Sequence, residues 1–329
     1  MNSQDIIDAF FKRTADEAAS EAPDFGLSEH KEGFKSGFVA FIGRPNAGKS
    51  TLLNALMGEK LAITSNTAQT TRHRFRAIYD TDDAQIIIVD TPGLHKPHDA
   101  LGEELNRSAL KSLEDVDLVA FLLDSSKEAG RGDQWVLDQL KTVDAPKLLV
   151  ITKSDLSDAH KCQLQLERVY SDDLFDDAIV LSAQTGERLA QFTELLKSYL
   201  PEGPRWFPKG TRTDQDEEVL IAEFIREKIL LETSDEVPHA IGVQVEEYSY
   251  NKKKNLSSIR ALIYVERESQ KGIIIGKGGA KIKRLGSLAR HDLERLLQTR
   301  VYLDLRVKLK KDWRKDAAQI RRFGYGEGL

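Results

Sequence analysis

The chain contains a single cysteine, Cys162, in 329 residues. One thiol closes no intramolecular disulfide and supplies no thiolate metal cluster, which fits a reducing compartment. Long apolar runs are missing too: stretches such as Leu118-Val119-Ala120-Phe121-Leu122-Leu123 have the length of a buried strand, well short of a membrane span. The N-terminus shows neither a secretory core nor a basic targeting bias, because Asp5, Asp8, Asp16, Glu17, Glu21 and Asp24 stand against Lys12 and Arg13. A cytoplasmic protein is expected. There is no internal repeat and no low-complexity tract. Strong net charge is absent as well, at −5, yet this near-balance conceals a division. Residues 1–202 carry 22 Lys and Arg against 34 Asp and Glu, whereas residues 203–329 carry 26 against 19. A basic second part on an acidic protein points to a polyanionic partner for that part alone.

The clearest feature present is Gly43-Arg44-Pro45-Asn46-Ala47-Gly48-Lys49-Ser50, set between the apolar run Phe38–Ile42 and the helical pattern Thr51–Leu56. Strand, glycine-containing loop and helix in this order form a phosphate-binding loop. Gly43 and Gly48 let backbone N–H groups turn inward around the β-phosphate. Lys49 reaches the β- and γ-phosphates, and Ser50 offers its hydroxyl to Mg²⁺. The competing reading is a strand-to-helix turn with an incidental lysine.

From Gly37 to about Leu200, strand patterns (Phe38–Ile42, Gln85–Val89, Leu118–Leu123, Lys147–Ile151, Ala178–Leu181) alternate with helical ones. This rhythm predicts an α/β domain, a mostly parallel sheet with helices on both faces, over residues 36–202. Residues 1–35 read as a mostly flexible extension. The proline- and glycine-rich stretch 203–212 reads as a linker. Residues 213–329 predict an α+β unit in the order α-β-β-α-α-β: a helix near Glu217–Leu231, strands near Ile241–Tyr250 and Ser257–Glu266, helices flanking Gly276–Gly279, and a strand at Val301–Leu309.

Asp90-Thr91-Pro92-Gly93 closes the second apolar strand. The Asp90 carboxylate can reach Mg²⁺ through a water, and the Gly93 N–H can sense the γ-phosphate. Thr152-Lys153-Ser154-Asp155 follows the fourth strand. Asp155 can accept two hydrogen bonds from guanine while the Lys153 stem lies along the ring; adenine offers no such donor pair. Ser182-Ala183-Gln184 supplies a backbone N–H for the guanine O6.

In this order the motifs resemble the translation-factor-related class of GTPases. The resemblance places a first switch at Thr64–Thr71, ending Gln69-Thr70-Thr71-Arg72-His73. Thr71, with Thr70 second, is the threonine expected to reach Mg²⁺. It therefore implies GTP or GDP and Mg²⁺ as ligands, metal contacts from Ser50, Thr71 and Asp90, and catalytic parts for Lys49, Thr71 and Gly93. The rest of Gly43–Thr51, Gln69–His73, Thr91, Pro92, Thr152, Lys153, Asp155 and Ser182–Gln184 would line the nucleotide. Two departures stand out. Thr152 occupies the place of an asparagine, and Leu94 that of a water-orienting glutamine, so intrinsic turnover should be slow. GTPases with an asparagine at the position of Asn46 and an apolar residue at that of Leu94 can use K⁺ instead.

Ile273-Ile274-Ile275-Gly276-Lys277-Gly278-Gly279-Ala280-Lys281-Ile282 joins two helices through Gly-x-x-Gly. Such a loop lies against a nucleic-acid backbone beside an apolar groove for unpaired bases, as in KH domains, where four nucleotides are covered. Ile275, Gly276, Lys277, Gly278, Gly279, Lys281, Ile282 and Lys283 are the candidate RNA contacts, and the element order matches the type II KH arrangement. A GTPase domain followed by one such KH domain, with Gln270-Lys271-Gly272 before the loop and Arg321-Arg322-Phe323-Gly324-Tyr325 near the end, resembles the Era family of bacterial ribosome-assembly GTPases over residues 36–329. The resemblance implies binding near the 3′ end of small-subunit (16S) rRNA, a part in maturing that subunit, and peripheral contact with the inner membrane. The expected form is a monomer without a DNA partner. Two other readings compete: an RNA-binding module with a structural nucleotide, and an ATP-driven RNA enzyme. The latter leaves Lys153 and Asp155 unexplained and has no second motor domain.

Overall fold

The computed structural model describes residues 32–325, apart from 66, 68, 69, 98, 172, 235 and 236. The expected extension thus lies outside the described residues up to 31, and Gln69 with it. Phe34 is already buried, and the first strand begins at Lys35.

The first domain is a six-stranded sheet of β1 (Lys35–Gly43), β2 (Phe75–Asp80), β3 (Ala84–Asp90), β4 (Leu118–Asp124), β5 (Lys147–Thr152) and β6 (Asp177–Val180). Their spatial order is β2-β3-β1-β4-β5-β6. All neighbours run parallel except β2, which is antiparallel to β3. β2 is absent from the sequence-based pattern because Phe-Arg-Ala-Ile-Tyr-Asp is a half-buried edge strand, with charge at Arg76 and Asp80, whereas the neighbouring β3 is buried along its whole length around the apolar run Ile86–Val89. Five helices cover the sheet: α1 (Lys49–Met57), α2 (Ala100–Lys111), α3 (Arg131–Leu140), α4 (Ala159–Val169) and α5 (Leu189–Tyr199). Leu52, Leu53, Phe192 and Leu196 of α1 and α5 fill one face. Val136 and Leu140 of α3 and Cys162 of α4 fill the other. Because β1 has β3 on one side and β4 on the other, the sheet reverses direction there, and a crevice opens at the carboxyl ends of its strands.

The second domain begins with α6 (Glu217–Glu232) and the single turn α7 (Val237–Ala240). β7 (Gly242–Asn251), β8 (Leu256–Val265), α8 (Glu268–Ile275), α9 (Ala280–Leu297), β9 (Arg300–Leu309) and α10 (Ala317–Arg322) follow. The sheet order is β7-β8-β9, with β7 and β8 a hairpin. β8 and β9 are parallel, since α8 and α9 form the crossover between them. Ile221, Ile225 and Ile229 recur every fourth residue on α6, as do Leu285, Ala289 and Leu293 on α9, and these stripes meet the alternating Ile259, Ala261, Ile263 and Val265 of β8.

Residues 203–212, read as a linker, form a strap fixed along the first domain. Gln85, fully buried, accepts from the Trp206 and Phe207 N–H groups at 2.8 and 2.9 Å and donates to the Phe207 carbonyl at 2.9 Å. Among the described residues no helix is long and apolar enough to cross a membrane.

Candidate functional site

The loops after β1, β3, β5 and β6 meet at the carboxyl edge of the sheet. Gly48 has φ +96°, a conformation that favours glycine, and it opens α1 with the backbone turned into the loop. The Lys49 ammonium is folded back onto the Gly43 and Arg44 carbonyls at 3.1 and 3.0 Å. Burial pushes this lysine down to about 8, with Asp90 opposing. A polyphosphate in the crevice would replace those carbonyls with formal negative charge.

Ser50, Thr71 and Asp90 converge. The Ser50 hydroxyl lies 2.8 Å from Asp90 Oδ2 and 3.0 Å from Thr71 Oγ1, and Thr71 Oγ1 is 3.4 Å from the same carboxylate oxygen. Asp90 is wholly buried, its other oxygen has no hydrogen-bond partner among the described residues, and burial raises its carboxyl above the ordinary range. Two hydroxyls and a carboxylate with an unsatisfied oxygen form a hard oxygen donor set of the kind Mg²⁺ takes. These residues fit the metal. Thr70, the second candidate, turns its hydroxyl back onto Ser65 and the Thr67 carbonyl. Gly93 passes so near the phosphate loop that a Cβ there would sit 2.6 Å from Pro45 N, which excludes a side chain. Leu94 is fully buried in the sheet core and faces no attacking water.

At the base end, Lys153 takes φ +60°, and its ammonium binds the Asn46 carbonyl at 2.7 Å and Asp124 at 2.6 Å. Thr152, in place of asparagine, donates its hydroxyl to the Ala47 carbonyl at 2.7 Å. The base-binding loop is thereby tied to the phosphate loop by both residues. Ser182 donates to Asp155 Oδ1 at 2.5 Å, which fixes the carboxylate at the start of the loop after β5. Asp124 could not be foreseen from the motifs; its only sequence signal is a carboxylate at the end of β4.

Arg72 and His73 are corrected: neither contacts the nucleotide crevice. The chain reverses after Thr71 and drives both side chains into the second domain. Arg72 is buried and donates to the Ile241 and His239 carbonyls at 2.6 and 3.1 Å, with the rings of Trp313 and Tyr325 at 5.8 and 5.3 Å from its guanidinium. His73 lies 3.6 Å from Glu223 and packs on Tyr325. Arg226 bonds Glu223 and the Thr70 carbonyl, and Glu227 accepts the Thr64 N–H at 3.0 Å and pairs with Lys60. One face of α6 therefore grips the segment 64–73 at both ends. The C-terminal residues Trp313, Ile320, Phe323 and Tyr325 join Leu101 and Leu105 of α2 in a separate apolar cluster bridging the domains. No motif announces these contacts.

In the second domain, Gly276 has φ +70° and ψ 173°, and a Cβ there would lie 2.7 Å from that of Lys281. Lys277 and Gly278 are exposed at the turn. Ile275, Gly279, Lys281 and Ile282 are partly covered beside it, Lys283 is exposed, and Ile273 is 45% exposed. The eight candidate RNA contacts thus share one convex loop and its flanks.

A family model described as a 50S ribosome-binding GTPase matches residues 38–153, and a KH domain model matches residues 236–314. A crystal structure of Aquifex aeolicus Era bound to GDP and aluminium fluoride superposes with a TM-score of 0.86 at 36% identity, covering 89% of this chain and all of that one. A structure of Era with MgGDPNP and nucleotides 1506–1542 of 16S ribosomal RNA gives the same score, identity and coverage. With both domains matched in order and the whole of those proteins spanned, the chain belongs to the Era family of GTPases.

Proposed function

We propose that this protein is a Mg²⁺-dependent GTP-hydrolysing switch that binds small-subunit rRNA near its 3′ end through the KH domain and acts in assembly of that subunit. The observation that carries this reading is the grip of α6 on both sides of Thr71. The threonine that meets the metal donor set is flanked by Thr70, Arg72 and His73, all held by the RNA-binding domain. Mg²⁺ held by Ser50 and Thr71, with Asp90 behind, would neutralise charge between the β- and γ-phosphates. Lys49 adds a second positive charge, Gly93 brings its backbone to the terminal phosphate, and Asp155 selects guanine. Leu94 offers no group to orient water, so intrinsic turnover is slow. Asn46 lines the crevice together with Ile63, Thr64 and Ser65, the surroundings a K⁺ ion would need. Hydrolysis faster in KCl than in NaCl is expected; equal rates would remove K⁺ from the reading.

The test is RNA affinity for the 3′-terminal 16S segment, measured with GDP and with a non-hydrolysable GTP analogue. Tighter binding in one state supports the switch, whereas identical affinities would leave a plain RNA-binding module with a structural nucleotide. Lys277→Glu should weaken RNA binding and leave nucleotide binding intact. Loss of both together would contradict the division of labour.

A further inference from the structure

The first domain carries a long cleft that takes no part in the nucleotide site. It runs between α3 and the end of α4, encloses about 780 Å³, and has Leu137, Val169 and Leu174 along its floor. Arg131, Lys141, Lys147 and Arg168 stand around it, against Asp133 and Asp173. A surplus of cations is out of character here, since residues 32–202 carry 19 Lys and Arg against 27 Asp and Glu. Asp133 does not redress it, being taken by Arg44 at 3.1 Å and by the Gly130 N–H at 2.9 Å. Lys147 is the telling residue. It is buried, its ammonium donates to the Val143 and Ala145 carbonyls at 2.5 and 2.9 Å, and among the described residues no carboxylate lies within ion-pair distance of it. Arg131, exposed at the start of α3, likewise has none among the described residues. A buried cation without a counter-charge is costly, so the cleft is electrostatically suited to an acidic occupant.

The chain itself holds a segment of matching chemistry. Residues 1–31, which lie outside the described residues, carry seven Asp and Glu against three Lys and Arg. Within them Ile6, Ile7, Phe10 and Phe11 have the spacing of one helix face, with Asp5 and Asp8 on the other. Each such apolar side chain gains about 1.5–3 kcal/mol on full burial. The segment also starts from the right place. Val119 pairs with Ala40 on one side and with Lys147 on the other, so Lys147 sits two strands from β1 and level with Ala40. Lys35 lies five residues further back along β1; at about 4.8 Å per strand and about 3.3 Å per residue, that is roughly 20 Å from Lys147. Phe11 precedes Lys35 by 24 residues, and a coil of that length spans about 25–30 Å. The reach matches the distance.

We propose that the cleft between α3 and α4 is the docking site of the chain's own N-terminal segment. Ile6, Ile7, Phe10 and Phe11 would cover Leu137, Val169 and Leu174, and the carboxylates around them would face Arg131, Lys141, Lys147 and Arg168. This is helix-in-groove recognition made intramolecular. Tethering sets an effective concentration on the order of 1 mM, so a segment that binds with a Kd of about 100 µM is held about ten parts to one. The inference stands apart from the RNA-binding reading above.

The test uses a fluorescein-labelled peptide of residues 1–18, titrated by anisotropy with three forms of the full chain: wild type, I6S/I7S/F10S/F11S, and that variant with R131E/K141E/R168E added. The serine variant, its own segment disabled, should bind the peptide with a Kd of about 100 µM or tighter. Wild type should bind it about tenfold more weakly, because its cleft is already occupied. The form with reversed cleft charges should also lose at least tenfold, while all three keep the same GTP affinity as a check on folding. Failure of the serine variant to bind the peptide would overturn the proposal, as would equal binding by wild type and the serine variant. Peptide binding indifferent to the cleft charges but abolished by K252E/K253E/K254E would place the segment on the second domain and overturn it too. A dimer of wild type in sedimentation, absent from the serine variant, would seat the segment on a second copy and overturn the intramolecular assignment.

Discussion

Thr152 shows how a replacement at a motif position can preserve its mechanical part. Its hydroxyl donates to the Ala47 carbonyl at 2.7 Å, which joins the base loop to the phosphate loop from a buried position. Thr152→Ala strands that carbonyl, which costs about 1–3 kcal/mol. The nucleotide-free protein should lose that much in urea denaturation, and Thr152→Ser should recover most of it. An alanine variant as stable as wild type would show that the hydroxyl ties nothing. The residues around it divide by how their chemistry is encoded. Lys49, Ser50, Asp90 and Asp155 act through their own functional groups at positions fixed by local strand-loop-helix geometry, so spacing alone reveals them. Arg72 and His73 read as nucleotide contacts because they follow Thr71 in the chain. Their actual partners, the His239 and Ile241 carbonyls and Glu223, lie more than a hundred residues away, and nothing in a polar loop specifies which way it turns.

At the scale of elements, α6 acts as a splint for the first switch. Glu223, Arg226 and Glu227 lie three and four residues apart and so share a face, while Ile221, Ile225 and Ile229 hold the helix on its own sheet. Its residues read as a helix, but its burial runs nearly all the way round, and the buried Arg226 and Glu227 gave no sign of what covers them. Arg226 is fully buried between Glu223 and the Thr70 carbonyl, and Glu223 holds its guanidinium above the ordinary range despite burial. Removing it alone strands a buried carboxylate at a cost of about 3–5 kcal/mol. The cleaner test is the double variant Glu223→Gln/Arg226→Gln, which strands no charge. A charge-assisted hydrogen bond contributes about 1.5–3 kcal/mol, so if it serves to place Thr71, single-turnover GTP hydrolysis should fall about 10- to 150-fold. GDP affinity, which needs no Thr71, should hold. Parallel loss of GDP binding would reduce the splint to a structural prop. α7 adds a pH dependence. His239 is half-buried, and burial first, then Arg72 and Arg314, hold it below its ordinary value of 6.5, with Asp99 opposing. Below pH 6.5 the unfolded chain takes up a proton that the folded chain refuses, so stability falls as pH drops and is flat above. The fall in melting temperature between pH 7.5 and 5.5 should be smaller in His239→Gln than in wild type. Identical falls would show that this histidine titrates as freely folded as unfolded.

Across the whole molecule, the two domains meet through the switch segment, through Lys60 and through the apolar cluster on α2, so the placement of the switch bears directly on that of the KH fold. Arg72 is the centre of this junction, in a cage made by α7, Trp313 and the C-terminal Tyr325, while Lys60 of the first domain pairs with Glu227 and Asp292 of the second. From α6 the path to the RNA loop is short: Glu232 at its end pairs at 2.9 Å with Arg284, five residues beyond Gly279. A nucleotide that binds both arrangements of the switch equally shifts nothing; one that prefers Thr71 closed on the metal must favour whatever KH placement accompanies it. Typical coupling energies of about 1–3 kcal/mol correspond to a 5- to 150-fold change in affinity, and linkage makes the change mutual. RNA affinity should therefore differ between the GDP and GTP-analogue states by a factor in that range. Saturating RNA should change the analogue-to-GDP affinity ratio by the same factor, within error. Arg72→Gln, which keeps hydrogen-bond donors but loses the charge held between the rings, should bring both factors toward one together while each ligand still binds alone. If the variant collapsed one factor and spared the other, the two measurements would not report a common equilibrium, and the junction at Arg72 could not be what joins GTP to RNA.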